Sequence, residues 1–129
     1  AERGVEVVLM LPGIPDKIVP YALAKTHYPS LLESGVKIYE YTPGFVHAKV
    51  FISDHREAVV GTINLDYRSL YHHFECATYL YDVDCIPEIE ADFQSTLKKC
   101  RLVTRETLQN EKWTFKLLGV IMKAVAPLL

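Results

Sequence analysis

His47, Lys49 and Asn64 fall within one stretch, F-V-H-A-K-V-F-I-S-D-H-R-E-A-V-V-G-T-I-N at residues 45–64, and their types suit chemistry at phosphorus. A cation and an amide donor match the non-bridging oxygens of a phosphodiester, and a neutral imidazole is a competent nucleophile or acid near neutral pH. Thr62 offers a further hydroxyl donor, and Gly61, with no side chain, leaves room for a substrate to approach the backbone. Side chains alternate along a strand, so His47, Lys49 and Phe51 are expected on one face and Val46, Ala48, Val50 and Ile52 on the other, seated on a core. Polar residues 53–57 then separate this run from A-V-V-G, the pattern of a hairpin centred near His55. Antiparallel pairing about that centre sets Lys49 opposite Gly61 and His47 opposite Ile63, bringing Asn64 to the histidine end. Singly, a strand histidine is more often a satisfied core or edge residue, and a lysine a solvated one. The joint spacing is what carries the chemistry.

Other segments must position this stretch. A-E-R-G followed by V-E-V-V-L-M-L has the pattern of the last turn of a helix, a capping Gly4 and a nearly all-apolar strand covered on both faces. The start of that helix is not in the sequence, so a fragment lacking its first strand and most of one helix is expected. Pro12, Gly13 and Pro15 end the strand, and a helix is predicted from about Asp16 to about Ser34 with Ile18, Val19, Ala22, Leu23, Leu31 and Leu32 on its apolar face. Pro29 predicts a kink or break near Tyr28. His27 has no partner at metal-ligand spacing and is expected at the surface. After Gly35, V-K-I-Y-E-Y alternates as a strand with a partly wet edge at Lys37 and Glu40. Strand, helix, strand implies a parallel crossover, hence an α/β layered domain: a mixed β-sheet flanked by helices, with its site at the strand ends.

Beyond Asn64, L-D-Y-R-S-L-Y-H-H predicts a loop with a helical turn, in which Arg68 and Ser69 either touch phosphate or hold the loop, the structural role being favoured, and His72 and His73 lie on the surface or cleft rim. F-E-C-A-T-Y-L-Y-D alternates again as a strand. A carboxylate among Phe74, Cys76 and Ala77 must sit at an end, be paired, or be functional. A nucleophilic histidine needs its second ring nitrogen held, so Glu75 is the candidate to orient His47. The remainder is expected to be helical. Asp84 is a plausible cap for a run with Ile89, Phe93 and Leu97 at helical spacing and Lys98 and Lys99 at its end. A short helix follows Thr104, and another spans 113–125, carrying Trp113, Phe115, Leu117, Leu118, Ile121, Met122 and Val125 with Lys112, Lys116 and Lys123 between them. Residues 1–103 are thus expected to form the domain that carries the trio, truncated at its N-terminus, and 104–129 basic amphipathic helices that pack on the core or lie in an anionic membrane interface.

Composition sets bounds. Of 129 residues, 50% are hydrophobic and 23% charged, which suits one domain with a real core. Residues 1–97 hold seven Lys or Arg against fourteen Asp or Glu, and 98–129 hold seven against two, so the net charge of −2 hides a basic tail. An acidic body without a basic groove counts against nucleic acid as a partner. Cys76, Cys85 and Cys100 are odd in number and lack Cys-x-x-Cys spacing, which speaks against a disulfide framework or a zinc site. No apolar run approaches the length of a membrane span, so the polypeptide is not expected to be an integral membrane protein itself.

His-x-Lys, four residues, Asp54, six residues and Gly-Thr-x-Asn together resemble the complete signature of the phospholipase D superfamily, with Thr62 where the family often has serine. From Gly4 to about Asp82 the chain resembles the C-terminal half of bacterial cardiolipin synthases of that type, most closely in G-V-K-I-Y-E-Y-T-P-G-F-V-H-A-K and G-T-I-N-L-D-Y-R-S-L. The resemblance implies a phospholipase D-like fold at the bacterial cell membrane, peripheral or facing the cytoplasm. It also implies transfer of a phosphatidyl group between two phosphatidylglycerols through a phosphohistidine, without metal or cofactor, giving cardiolipin and glycerol. By matching positions, His47 would be the nucleophile or its acid partner, Lys49 and Asn64 would bind phosphate oxygens, and Glu75 would orient His47. Asp54 matches the motif aspartate, but a place in the hairpin turn suits stabilising that turn better than touching substrate.

Attack by one imidazole leaves the departing alkoxide needing a proton, and a second positioned acid contributes about 10²- to 10⁴-fold. Family members meet this need with two motif copies facing one cleft, and this chain carries one. A second motif-bearing half is therefore expected, from a missing N-terminal region or a two-fold mate, and the isolated polypeptide is expected to be inactive or nearly so. Two rivals stand beside this reading: another phosphodiesterase or nuclease of the superfamily, which would keep the whole trio, and a non-catalytic membrane-binding module, which would use only the basic tail.

Overall fold

The computed structural model describes residues 1–110 and 113–125. In chain order its elements are β1 (Val8–Pro12), α1 (Ile18–Glu33), β2 (Lys37–Tyr41), β3 (Lys49–Ser53), β4 (Glu57–Gly61), a π-helical turn (Arg68–His72), β5 (Ala77–Tyr81), α2 (Ile86–Leu97), β6 (Cys100–Leu102), α3 (Arg105–Gln109) and α4 (Trp113–Val125). They form two compact units, one of residues 1–46, 99–110 and 113–125, the other of residues 47–98. The fold is mixed α/β, with its strands shared between two three-stranded sheets.

In the first unit the apolar run of β1 pairs parallel with β2, from Val8 opposite Lys37 to Pro12 opposite Tyr41. The far edge of β2 takes β6 antiparallel, from Tyr39 opposite Leu102 to Tyr41 opposite Cys100. Alternation along β2 turns Ile38 and Glu40 inward, both at 0% exposure. Ile38 joins Tyr28, Val36 and Val103 in a core onto which Leu9, Leu11, Leu31, Leu32 and Leu108 pack. Full burial of a side chain such as Ile38 stabilises by about 1.5–3 kcal/mol.

Several expectations for this unit are corrected. The wet edge holds for Lys37, which pairs at the surface with Glu6 at 2.5 Å, but not for Glu40. Glu40 is buried because two cations meet it: the Lys25 ammonium on Oε1, and Arg101 on Oε2 at 2.6 Å. The helix α1 runs through Pro29 without a break. Burial of Ala22 and Tyr28 outweighs the one hydrogen bond the proline removes, since tertiary packing rather than propensity holds most helices. Tyr28 is a core residue missing from the expected apolar face, and Ile18, placed on it, is 58% exposed. The stretch after residue 98 is not wholly helical, because β6 intervenes; three residues around Arg101 are too few to show a period in sequence.

One cap differs as well. The residue preceding α2 is Cys85, and Asp84 does not cap it; Pro87 in the first turn and the Ile86 amide on the Val83 carbonyl at 3.1 Å begin that helix instead. By contrast, Thr104 and Thr107 cap α3 reciprocally, each side chain accepting the other's backbone N–H.

Against α1 lies α4, at a point where Gly119 is buried: a Cβ there would come within 2.6 Å of Thr26 Cγ2 and 2.7 Å of the Ala22 carbonyl oxygen. The opposite side of α4 leaves Trp113, Leu117, Val120 and Ile121 more than half exposed. Lys112 and the side chains of Phe115, Lys116 and Val125 lie outside the described residues. Among the described residues, no helix is long and apolar enough to cross a membrane.

The second unit is an antiparallel meander of β3, β4 and β5, followed by α2. Pairing of β3 with β4 runs from Lys49 opposite Gly61 to Ser53 opposite Glu57. The four residues 53–56 close it as a type I′ turn: Arg56 N–H donates to the Ser53 carbonyl at 3.1 Å, with φ of +51° at Asp54 and +60° at His55. This is the hand of turn that matches the twist of a hairpin, and aspartate and histidine tolerate it better than branched residues do. Arg56 then ties the hairpin to the end of β5 through Asp82, at 2.8 and 2.5 Å, and the Tyr81 hydroxyl at 3.1 Å.

Candidate functional site

Lys49 opens β3, and the expected strand from His47 onward is two residues shorter than foreseen at this end. Pairing with β4 stops at Lys49 and Gly61, so His47 and Ile63 are not strand partners. Past Gly61 the main chain belongs to the β5 side, where the Thr62 amide donates to the Cys76 carbonyl at 3.0 Å. His47 is exposed, just ahead of the strand, and its carbonyl accepts a hydrogen bond from Lys49 Nζ at 2.7 Å. The lysine is thereby folded back onto the backbone of the histidine, which fixes the ammonium close to residue 47. Partial burial lowers the pKa of Lys49 below the usual 10.5, while the carboxylates of Glu75 and Asp66 pull the other way.

Glu75 lies two residues before β5, with its side chain 15% exposed. Thr62 Oγ1 donates to Glu75 Oε2 at 2.5 Å and accepts from the Cys76 amide at 3.1 Å. The Ser69 hydroxyl is a second donor, His73 Nδ1 stands 3.7 Å from Oε1, and Lys49 adds positive charge. Hydrogen bonds from Thr62 and Ser69 hold the Glu75 carboxyl below its ordinary range, so at neutral pH it is an anion beside the Lys49 cation. Asn64 is exposed and directs Nδ2 toward Ser69 Oγ at 3.4 Å.

Two of the residues matched to substrate binding are engaged within the fold. The Thr62 hydroxyl lies 2.5 Å from Glu75 Oε2 and 3.3 Å from the Cys76 carbonyl, the shorter contact anchoring the carboxylate. A Cβ at Gly61 would collide with the Cys76 carbonyl oxygen and with Ala77, so the missing side chain serves close pairing with β5. Asp54 occupies the hairpin turn, on the far end of β3 from Lys49, where its carboxylate accepts a 3.4 Å contact from Ser53.

Sequence reasoning gave no chemical part to Asp66, and favoured a structural role for Ser69 over a phosphate contact. Asp66 Oδ1 accepts from the Ser69 amide at 2.8 Å, and Leu70 N–H closes on the Asp66 carbonyl at 3.0 Å. The D-x-x-S spacing is the signal that could have found this pair, since an aspartate commonly accepts from an amide three residues on. Among the described residues, no group of three or more His, Cys, Asp or Glu side chains could hold a metal ion.

An anionic carboxylate, a half-buried ammonium and an amide therefore gather around the ends of β3 and β4 in a single unit. Residues 1–97 match the family model described as cardiolipin synthase, PLD-like domain. The chain belongs to this family. A cardiolipin synthase of Halalkalibacterium halodurans is 35% identical over all 129 residues, and one from Geobacillus sp. (strain WCH70) is 36% identical over the same span; each time the match covers the whole chain and 26% of the relative. An uncharacterized protein of Streptococcus mutans is 69% identical, again over the whole chain and 28% of its own length. The chain thus spans about a quarter of the length of the curated relatives it matches. No solved structure matches it. Within this family domain, the Lys49, Asn64 and Glu75 cluster is the candidate functional site.

Proposed function

We propose that the chain supplies one half of a phosphatidyl-transfer site that joins two phosphatidylglycerols into cardiolipin and releases glycerol. In the first step a ring nitrogen of His47 attacks phosphorus, the bond to the departing glycerol oxygen breaks, and that alkoxide takes a proton from a second acid. In the second step the hydroxyl of another phosphatidylglycerol attacks the phosphohistidine, gives up its proton to that same group, and frees His47. Lys49 and Asn64 neutralise and orient the non-bridging oxygens as charge builds on them. Glu75 orients His47 and supports its positive charge. No metal or cofactor enters this scheme.

The observation that carries the reading is the Lys49 ammonium, drawn to within 2.7 Å of the His47 carbonyl and facing the charge of Glu75 inside a cardiolipin synthase family domain. The second acid would come from another motif-bearing half, in a preceding region of a longer polypeptide or in a two-fold mate, and the chain alone would be inactive or nearly so. The test supplies radiolabelled phosphatidylglycerol to the intact protein and looks for acid-labile phosphate on His47. Cardiolipin formation lost in His47→Ala supports the proposal; undiminished formation refutes it, and release of phosphatidic acid without cardiolipin favours a hydrolytic phosphodiesterase.

A lipid substrate gives α4 a second part. Trp113, Leu117, Val120 and Ile121 recur at helical spacing on its exposed side, with Lys123 in its last turn and no acidic residue within it. Such a helix fits an anionic membrane interface at the bacterial cell membrane. Replacing these four apolar residues by Gln would then weaken binding to phosphatidylglycerol vesicles; unchanged binding would remove this part of the proposal.

A further inference from the structure

Residues directly opposite one another across a sheet point to the same side, so the pairing registers place Lys49 on one face with Phe51 of β3, Val59 of β4 and Tyr79 of β5. Lys49 stands in a row with Gly61 and Ala77, and the next row, about 7 Å along the strands, holds Phe51, Val59 and Tyr79. Tyr79 is 61% exposed and Phe51 36%, whereas the opposite face buries Ala58 and half-covers Ile52 and Leu80. The apolar packing of this sheet is therefore on the side away from Lys49. Gly61 has no side chain and Ala77 only a methyl, so the surface beside the ammonium is low.

A cation at the end of an aromatic floor suits an amphiphile that carries its charge at one end. Lys49 gives one hydrogen to the His47 carbonyl at 2.7 Å, and an ammonium has two more for a phosphate oxygen. A ligand anchored there and lying along the strands next meets the two aromatic rings and Val59, where every methylene taken out of water favours binding. Nucleic-acid bases also stack on aromatic rings, but a strand of nucleotides carries a phosphate at every step and needs further cations along its track. The third row of this face offers instead Glu57 and Tyr81, whose hydroxyl accepts from Arg56 at 3.1 Å. Arg56 is itself neutralised by Asp82. A carboxylate at that row opposes a second phosphate, so the face fits one negative charge followed by hydrocarbon.

We propose that Phe51, Val59 and Tyr79 seat the first methylenes of an acyl chain of the phosphatidyl group whose phosphate Lys49 holds, so that one sheet face binds the lipid on both sides of its glycerol backbone. The proposal rests on the phosphatidyl-transfer reading for the identity of the substrate, but contact between this face and a lipid chain can be measured without turnover.

Two arms test it on the intact protein. In the kinetic arm, Phe51→Ala combined with Tyr79→Ala should raise KM for phosphatidylglycerol about 10-fold, as loss of contact with roughly two methylenes does. The change in kcat should be much smaller, because a chain seated in the ground state is held equally in the transition state. Phe51→Leu combined with Tyr79→Leu keeps apolar area and should recover most of the loss. An unchanged KM in the alanine variant would overturn the proposal, and so would a fall in kcat alone, which a destabilised fold produces. In the second arm, p-benzoylphenylalanine placed at position 51 is irradiated in phosphatidylcholine vesicles that contain radiolabelled phosphatidylglycerol. Labelled lipid should become attached to the protein, and several-fold less of it in a Lys49→Ala background. Attachment to polypeptide alone would show that protein covers this face and would overturn the proposal; so would lipid labelling indifferent to Lys49→Ala, which is general membrane contact. If cardiolipin formation survives His47→Ala while the lipid adduct keeps its dependence on Lys49, the transfer reading fails and the acyl seat stands.

Discussion

Glu40 gives a quantitative test of how the first unit holds together. Its carboxylate is fully buried between the ammonium of Lys25, whose side chain is 8% exposed, and the guanidinium of Arg101, whose side chain is 59% exposed. Lys25 also lies over the rings of Tyr21 and Tyr28, at 5.2 and 5.0 Å. In Glu40→Ala, Arg101 regains water at little cost, but the Lys25 ammonium stays in a site from which its counter-charge is gone. Breaking a buried pair from one side costs about 3–5 kcal/mol. The ring contacts are present in both proteins and offset nothing further, while the freedom of Arg101 sets the expected value near the lower end, about 3 kcal/mol. Replacing both members, Lys25→Met with Glu40→Leu, removes the desolvated charges together and should be roughly neutral, within about 1 kcal/mol. Urea unfolding at pH 7, followed by circular dichroism, measures these proteins, with the single variants Lys25→Met and Glu40→Leu completing the cycle. A loss below about 1 kcal/mol in Glu40→Ala would refute the argument. So would a double variant as unstable as the two single ones added together, because the pair would then not be coupled.

Other outcomes follow from the same geometry. Because burial holds the Lys49 pKa below 10.5, the ammonium is present below that lowered pKa and is lost as pH rises through it; the alkaline limb of kcat/KM should fall earlier than an ordinary lysine allows, and Lys49→Arg should push the limb to higher pH. Asp54→Gly suits the positive φ and should change stability by no more than about 0.5 kcal/mol and leave turnover near that of the parent, whereas Asp54→Val should destabilise by about 1–3 kcal/mol; a severe loss of turnover in folded Asp54→Gly would give the carboxylate a direct catalytic part. His55 Nδ1 sits 2.7 Å from Glu90, whose hydrogen bond and charge raise the His55 pKa above 6.5. The folded pKa is the higher one, so this contribution is whole below the unfolded pKa and disappears as pH climbs through the folded value; urea midpoints should decline across that window, and Glu90→Gln should flatten the decline.

Much of the hairpin was legible in the sequence, because period-2 alternation and a polar break leave few registers open: Lys49 does stand opposite Gly61, and the turn does centre on His55. The limits of pairing were not legible, since strand ends depend on which neighbour each amide finds, and the Thr62 amide finds Cys76. Glu40 looked like a wet-edge residue because its partners, Lys25 and Arg101, lie far off in sequence on either side. Pro29 looked like a break because local geometry was weighed without the burial of Tyr28 and Ala22. At the site, residue types pointed to Lys49, Asn64 and Glu75, but not to Thr62 as an anchor or to the burial of Ser69. Those roles arise from side-chain hydrogen bonds that no periodicity encodes.

The antiparallel contact between β2 and β6 bears on how the chain is made. During synthesis β2 leaves the ribosome long before Cys100 to Leu102, so one row of its amides and carbonyls stays open while every residue between is being added. Glu40 waits equally long for Arg101. A nascent chain stalled in that interval would expose a sticky strand border and a half-compensated charge, which makes this the stage at which a chaperone has most to protect.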